Sequence, residues 1–438
     1  MTNVGRVAVL GLDGVPFSLL SKLFEQGVMP RLEALAREGI FVPLTSVLPA
    51  VSSAAWTSFM TAADPGLHGI FGFTDLEPGR IAVRLPSFDD LKVPALWHRI
   101  PGKRSVVVNL PFTYPARPLE GVLIAGFVAP VFERAVYPSS LIPWLTSKNY
   151  RTDVDCVRAR YDRGFFIQDL FDTLSIWEEV MLALWDREPW DLFIGVITGT
   201  DRLHHFLFDA FEDPTHVFHR EFTDYYRRVD ACIARFLDRL GSTRIILLSD
   251  HGFTKLKHTI YLNHLLRRLG YVRFSRLHVR SFEDISLKSL AFALDPTRIY
   301  LNTKERFRDG LLTDRQATEI LTKLKSDLER LRLTDIGLEK ELDESDTTDT
   351  LFAAVLLGRD IYGQSCYEHA PDLVVVPRKG YDVKATVSGE TITSRDIFTG
   401  MHTHEDAFVI VNDPSLADRF RTPTIPEIGA LVWESMIG

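Results

Sequence analysis

The 438-residue chain has only three cysteines, Cys156, Cys232 and Cys366, odd in number and far apart. They form neither a disulfide framework nor a metal-type spacing, and read as reduced, buried thiols. Long apolar runs are missing too: the most apolar stretch, Val122 to Phe132, is too short to span a bilayer. The opening Met-Thr-Asn-Val-Gly-Arg contains no signal-type apolar region. A soluble, cytoplasmic protein without a membrane partner is expected. Excess positive charge is also absent, since 50 Lys and Arg face 58 Asp and Glu for a net charge of -8. No global basic field recruits a nucleic-acid polymer. An anionic substrate must then be held by local cations or by metal. Repeats and low-complexity segments are lacking, and 46% hydrophobic with 25% charged residues is an ordinary globular composition. A disordered or fibrous chain is excluded.

Short β-branched runs alternate with long helical patterns, which predicts an α/β fold with a largely parallel sheet. The strands are expected at Arg6–Leu12, Arg104–Leu110, Asp191–Thr198, Arg244–Ser249 and Asp372–Val376. Helices are expected over Phe17–Glu38, broken at Pro30, and over Phe166–Arg187, Arg220–Leu240 and Asp314–Leu331. The acidic segment Leu331–Thr350 reads as a solvated helix end plus loop, and residues 75–180 and 255–398 as insertions around a core.

Three apolar runs, read as strands, each end in an aspartate: Asp13, Asp201 and Asp250. In a parallel sheet the carboxyl ends of the strands form the ligand crevice. Three carboxylates gathered there repel unless a cation sits among them. Histidines accompany them. His251 follows Asp250 in Ser-Asp-His-Gly, where Gly252 would let the chain turn closely around a ligand. His205 and His204 lie four and three residues after Asp201, and helical geometry alone leaves both open. His402 sits in Gly-Met-His-Thr-His. Mixed imidazole and carboxylate donors favour zinc, manganese or iron over calcium. A nucleophile is expected in Pro49-Ala-Val-Ser-Ser-Ala-Ala-Trp-Thr-Ser-Phe-Met-Thr61, read as a loop entering an amphipathic helix; Ser52 and Ser53 both remain open.

These motifs resemble the alkaline phosphatase superfamily, in particular its type I phosphodiesterase/nucleotide pyrophosphatase branch and the microbial phosphohydrolases/phosphomutases within it. The likeness covers nearly the whole chain. It is carried by Gly-Leu-Asp-Gly at 11–14, residues 51–61, Asp-Pro-Gly-Leu-His-Gly-Ile at 64–70, Asn-Leu-Pro-Phe-Thr-Tyr-Pro at 109–115, Asp-Arg-Leu-His-His-Phe at 201–206, Ser-Asp-His-Gly-Phe at 249–253 and Gly-Met-His at 400–402. The resemblance implies an alkaline-phosphatase-like three-layer sandwich over residues 1–438, with a mostly parallel central sheet, helices on both faces and inserted cap segments. It selects Ser52 as nucleophile, nine residues before Thr61, and Asp201 with His205 through an Asp-x-x-x-His motif. One metal is then held by Asp13, Ser52, Asp250 and His251, and the other by Asp201, His205 and His402. Departures are Ala55 where nucleotide pyrophosphatases often carry Asn, Ala62 for the usual Gly, and Thr403 after His402. The Cys/Ser-x-Pro-x-Arg context of sulfatases is absent at Ser52-Ser-Ala-Ala-Trp56.

The implied chemistry is hydrolysis of a phosphate ester with two divalent ions, zinc favoured over manganese, through a phospho-Ser52 intermediate. A phosphodiester or nucleotide-type small molecule is the favoured substrate. Ser53, Asn109, Tyr114 and Arg202 are expected substrate contacts, with Thr113 beside them; Arg202 reads equally as an ion-pair partner. His68, His404 and Trp56 are read as structural. Two rivals are a phosphomutase that returns its phosphoryl group to the same substrate and a noncatalytic metal-binding scaffold.

Overall fold

The computed structural model describes residues 5–338, 348–363, 369–389, 391–395 and 397–437. Cys366 and residues 339–347 of the acidic segment expected at 331–350 lie outside them. The chain forms two compact units: residues 1–64, 87–254 and 397–438 make the first, and 65–86 with 255–396 the second. This division differs from the insertions expected at 75–180 and 255–398, because the strands at 105–125 belong to the main sheet of the first unit.

That sheet has eight strands: β1 Val7–Leu12, β2 Ile40–Leu44, β3 Ser105–Leu110, β4 Gly121–Ala125, β5 Val136–Tyr137, β6 Leu192–Ile197, β7 Arg244–Leu248 and β8 Ala407–Val411. Their spatial order is β2-β8-β7-β1-β6-β3-β4-β5. The five central strands, β7, β1, β6, β3 and β4, are mutually parallel. Strand β8 runs antiparallel to both its neighbours, and β5 closes the opposite edge antiparallel to β4. All six residues of β1, of β3 and of β6 are buried. Apolar runs without alternation form strands of this kind because both faces are covered.

The first unit's main helices are α1 Phe17–Glu25, α2 Pro30–Glu38, α3 Ser52–Thr61, α4 Arg163–Arg187, α5 Gly199–Glu212, α6 His219–Leu237 and α7 Ile425–Ile437. Pro30 divides α1 from α2 as expected and occupies the first turn of α2, where its missing N–H costs nothing. The buried Asp230 of α6 takes the next two donors, Arg31 N at 3.2 Å and Leu32 N at 2.8 Å, and so ties α2 to α6. Along α6, Phe222, Tyr225, Tyr226, Val229, Ile233 and Phe236 recur at helical spacing and face inward. Helix α3 is different: all ten of its residues are buried, so it is not the amphipathic helix expected. It packs against α7 so closely that a Cβ on Gly429 would meet Phe59 O at 2.2 Å.

The second unit is built on a four-stranded antiparallel sheet in the order 291–294, 298–301, 373–377, 352–357. The run expected as a strand at Asp372–Val376 falls here, outside the parallel sheet. Helix Asp314–Arg330 covers it through Leu324 and Leu328, and Phe292, Tyr300, Leu373 and Val375 join the same core. No helix among the described residues is long and apolar enough to cross a membrane.

His68, in the second unit, is fully buried and its Nδ1 accepts from Ile70 N at 3.1 Å. Burial pushes the ring down to about 3. A histidine kept neutral in the fold contributes stability above its ordinary pKa of about 6.5, and that stability is lost as pH falls. At pH 5 the loss from this residue should be about 2 kcal/mol. In His68→Asn, whose amide oxygen can replace Nδ1 as acceptor, the decline of melting temperature between pH 6.5 and 5 should be shallower than in the wild type.

Candidate active site

The parallel strands bring their carboxyl ends to one edge of the sheet, and the expected donors meet there. Asp13 follows β1 directly, and Asp250 stands two residues beyond β7. Asp201 arrives differently. Strand β6 ends at Ile197, and Asp201 sits in the first turn of α5 rather than at a strand end. The helix places His205 one turn on, with Nε2 3.5 Å from Asp201 Oδ1. His402 comes from the strand Gly400–Thr403, which pairs with Gly252–Lys255. Its Nε2 lies 3.2 Å from Asp201 Oδ1 and 3.0 Å from His205 Nε2. His251 Nε2 lies 3.3 Å from Asp250 Oδ2, 3.7 Å from Asp13 Oδ1 and 4.0 Å from Asp201 Oδ1. Two donor triplets result, Asp201–His205–His402 and Asp13–Asp201–His251, each with its ligand atoms within 4.8 Å of one another. Asp201 belongs to both.

Ser52 stands at the first residue of α3, with Val51 rather than a serine in the capping position. Its hydroxyl is therefore not spent on the helix end. Oγ donates to Asp13 Oδ1 at 3.2 Å and lies 3.3 Å from His251 Nε2. Ser53 is buried, and its hydroxyl makes no hydrogen bond among the described residues. The pair that local geometry left open is thus separated by direction. His204 and His205 separate in the same way. His204 Nδ1 faces Gly14 O at 2.9 Å and Nε2 meets Tyr226 OH at 2.7 Å, so both ring nitrogens are engaged in the core. Burial pushes that ring down to about 4.

Each carboxylate has one oxygen held from behind and the other turned toward the cluster. Trp56 Nε1 donates to Asp13 Oδ2 at 2.9 Å, Gly14 N to Asp250 Oδ1 at 3.0 Å, and Arg202 Nη1 to Asp201 Oδ2 at 2.6 Å. The role of Trp56 was missed in the sequence, where it reads as core packing. Its position four residues after Ser52, on the same face of α3, is the signal that could have found it. Gly11 makes room for the indole, since a Cβ there would lie 2.4 Å from the ring. Gly14 adopts a φ of +67°, which places its N–H toward Asp250. Gly252 serves a different purpose from the one expected. A Cβ there would meet Thr403 Oγ1 at 2.5 Å and the Asp406 carbonyl at 2.8 Å, so the glycine admits the segment that carries His402 rather than a ligand.

Burial, and then the charges of Asp250 and Asp201, push the Asp13 carboxyl well above the usual range. Burial pushes Asp250 up to about 7, against the Gly14 hydrogen bond and helped by Asp201. Burial would raise Asp201 as well, but His205, His402 and Arg202 outweigh it and hold this carboxyl well below the usual range. His251 is driven well down by burial and by His402. Asp201 Oδ1 and Asp250 Oδ2 are buried and accept no hydrogen bond among the described residues. Orphaned acceptors facing imidazole nitrogens are what a divalent cation satisfies, and the oxygen and nitrogen donors fit zinc, manganese or iron.

The expected substrate contacts are less convergent. Asn109 is fully buried at the end of β3 with a φ of +59°, and its amide oxygen accepts from Tyr150 OH. Arg134 lies over the Tyr114 ring at 5.7 Å. Arg202 is committed to ion pairs with Asp153 and Asp201 rather than held out for a substrate. Ala62 takes the left-handed conformation at the end of α3, with φ 51° and ψ 41°, the geometry for which glycine is better suited.

Phosphonoacetate hydrolase from Sinorhizobium meliloti, solved with phosphonoacetate, is similar at a TM-score of 0.66 and 16% identity, over 99% of this chain and 96% of that one. Murine ectonucleotide pyrophosphatase/phosphodiesterase 5, an inactive form solved with AMP, is similar at 0.54 and 13% identity, over 98% and 94%. The human counterpart gives 0.55 and 12% identity, over 98% and 94%. At these identities the likeness is one of fold. No curated protein matches the chain in sequence. The model of the type I phosphodiesterase/nucleotide pyrophosphatase family, however, matches residues 7–404 and so spans every donor assembled at the sheet edge. The chain belongs to the type I phosphodiesterase/nucleotide pyrophosphatase family and is a phosphoester hydrolase of the alkaline phosphatase superfamily.

Proposed function

We propose that the protein hydrolyses a small phosphodiester or nucleotide-type ester by way of a covalent phospho-Ser52 enzyme. The observation that carries this reading is the Ser52 hydroxyl, 3.2 Å from Asp13 Oδ1 and 3.3 Å from His251 Nε2 at the start of a buried helix. Asp13, Ser52, Asp250 and His251 would hold one divalent cation, and Asp201, His205 and His402 would hold the other; zinc is favoured, with manganese as the alternative. Bound there, the cations supply Lewis acidity that lowers the Ser52 pKa and offsets the charge of the phosphoryl oxygens. Ser52 Oγ attacks phosphorus in line; the Oγ–P bond forms as the bond to the leaving oxygen breaks. The backbone N–H of Ser53, in the first turn of α3, would bind a non-bridging oxygen, with the helix dipole favouring the anion. Water then cleaves the phosphoserine, returning Oγ to Ser52. The ligands bound in the similar structures, phosphonoacetate and AMP, support a small anionic substrate. Among the described residues Cys156 and Cys232 are free thiols, which supports a reducing, cytoplasmic setting.

Elemental analysis of gently purified protein should find close to two transition-metal ions per chain by this reading. Protein that contains none, and takes up neither zinc nor manganese, has no such site.

Ser52→Ala removes the attacking oxygen and little side-chain volume from the buried helix. Hydrolysis of aryl phosphodiesters should fall at least about a thousandfold, or roughly 4 kcal/mol of barrier. Ser53→Ala keeps its backbone N–H and should cost far less. The reverse ranking moves the nucleophile by one residue, and two active variants point to direct attack by water. In labelled water, solvent oxygen should appear in the phosphate product; a mutase would leave it unlabelled.

A further inference from the structure

Asp13 and Asp250 are held from behind by neutral N–H donors, whereas Asp201 is held by a full positive charge. Arg202 Nη1 takes Asp201 Oδ2 at 2.6 Å and leaves Oδ1 facing His402 and His205 at 3.2 and 3.5 Å. The rest of the guanidinium is spoken for. Nε lies 3.0 Å from Asp153 Oδ1, and Nη2 lies 2.8 Å from Asp153 Oδ2, a forked pair. One face of the group rests on Phe127, 4.2 Å from the ring centroid. The arginine side chain is only 13% exposed and that of Asp153 24%.

We propose that Asp153 and Arg202 are positioning residues for the second cation, setting how strongly, and through how many oxygens, Asp201 binds it. This rests on the two-cation reading above. With Oδ2 anchored, Asp201 cannot swing to offer both oxygens to one ion, so binding is confined to Oδ1. A guanidinium this close to a cation site would by itself repel the ion. Asp153 offsets that repulsion, because the Asp153–Arg202 pair is neutral as a unit. The orientation of Arg202 depends on Asp153 too, since a forked carboxylate fixes the plane of the guanidinium. Outer partners of this kind commonly change metal affinity by about 10–100-fold when they are altered.

Cobalt(II) is the probe, with the full chain stripped of metal, equilibrium dialysis for affinity and visible absorption for coordination. Asp153→Asn keeps the side-chain shape but leaves the guanidinium without its counter-charge. One of two cobalt ions should then bind about tenfold more weakly, with the other unchanged and the melting temperature of the metal-free protein near wild type. The double variant Asp153→Asn/Arg202→Met removes both charges. It should recover the affinity but absorb more weakly per bound cobalt, because Asp201 is then free to bind through two oxygens and raise the coordination number. Unchanged cobalt affinity in Asp153→Asn overturns the proposal, as does equal weakening at both ions together with a lower melting temperature of the metal-free protein. Wild-type protein that binds no cobalt overturns the two-cation reading itself, and this inference with it.

Discussion

Mutual repulsion among Asp13, Asp201 and Asp250 is the constraint on which the first unit's architecture turns. The three carboxyl groups are buried at the carboxyl edge of the sheet, where little water screens them. Left alone, such a cluster takes up protons: Asp13 and Asp250 are both pushed up, while Asp201 stays low only because two imidazoles and a guanidinium surround it. The same arrangement that is costly without a cation is a strong ligand set with one, so the geometry makes cation binding and stability of the site a single problem.

The fold answers by fixing the half of each carboxylate that faces away from the cluster. The donors come from three different sources: an indole on α3, a backbone N–H after β1, and a guanidinium at the start of α5. Each of these elements is itself firmly seated. The fully buried α3 is pressed by α7 through the close approach at Gly429, so the helix that carries Ser52 also carries the indole that orients Asp13. Helix α5 is held through His204, which joins Gly14 O to Tyr226 OH and turns one of two adjacent histidines into a strut while the other faces the site. The placement of Ser52 and of the three carboxylates thus derives from packing that lies one layer behind them.

Much of this was legible in the chain. Apolar runs without alternation read as covered parallel strands, and β1, β3, β6 and β7 lie within a residue or so of the expected positions. The donor types and their order along the chain were visible, as was the divalent chemistry they suit. The choices between His204 and His205, and between Ser52 and Ser53, were not open to local spacing. Neighbours in a helix can point to opposite sides of a wall, so spacing left both pairs open, and it was the family resemblance that selected His205 and Ser52. Arg202 illustrates the other limit. Its sequence neighbour Asp201 was apparent, but Asp153, which claims most of its guanidinium, is 49 residues away.

The sequence by itself determined the α/β class, the breaking of the first helical run at Pro30 and the inventory of carboxylates, imidazoles and hydroxyls, because these follow from local periodicity and from chemical identity. Tertiary structure alone decided how the chain divides into two units, which strand at 373–377 joins an antiparallel sheet, and that Asp201 works from a helix instead of a strand end. It also decided which oxygen of each carboxylate is pinned and which is offered. Two of the three pinning contacts join distant residues, Trp56 on Asp13 and Gly14 on Asp250, 43 and 236 positions apart, and the third, from Arg202 to the adjacent Asp201, is oriented by Asp153, 49 positions away; no local rule carries information over such separations.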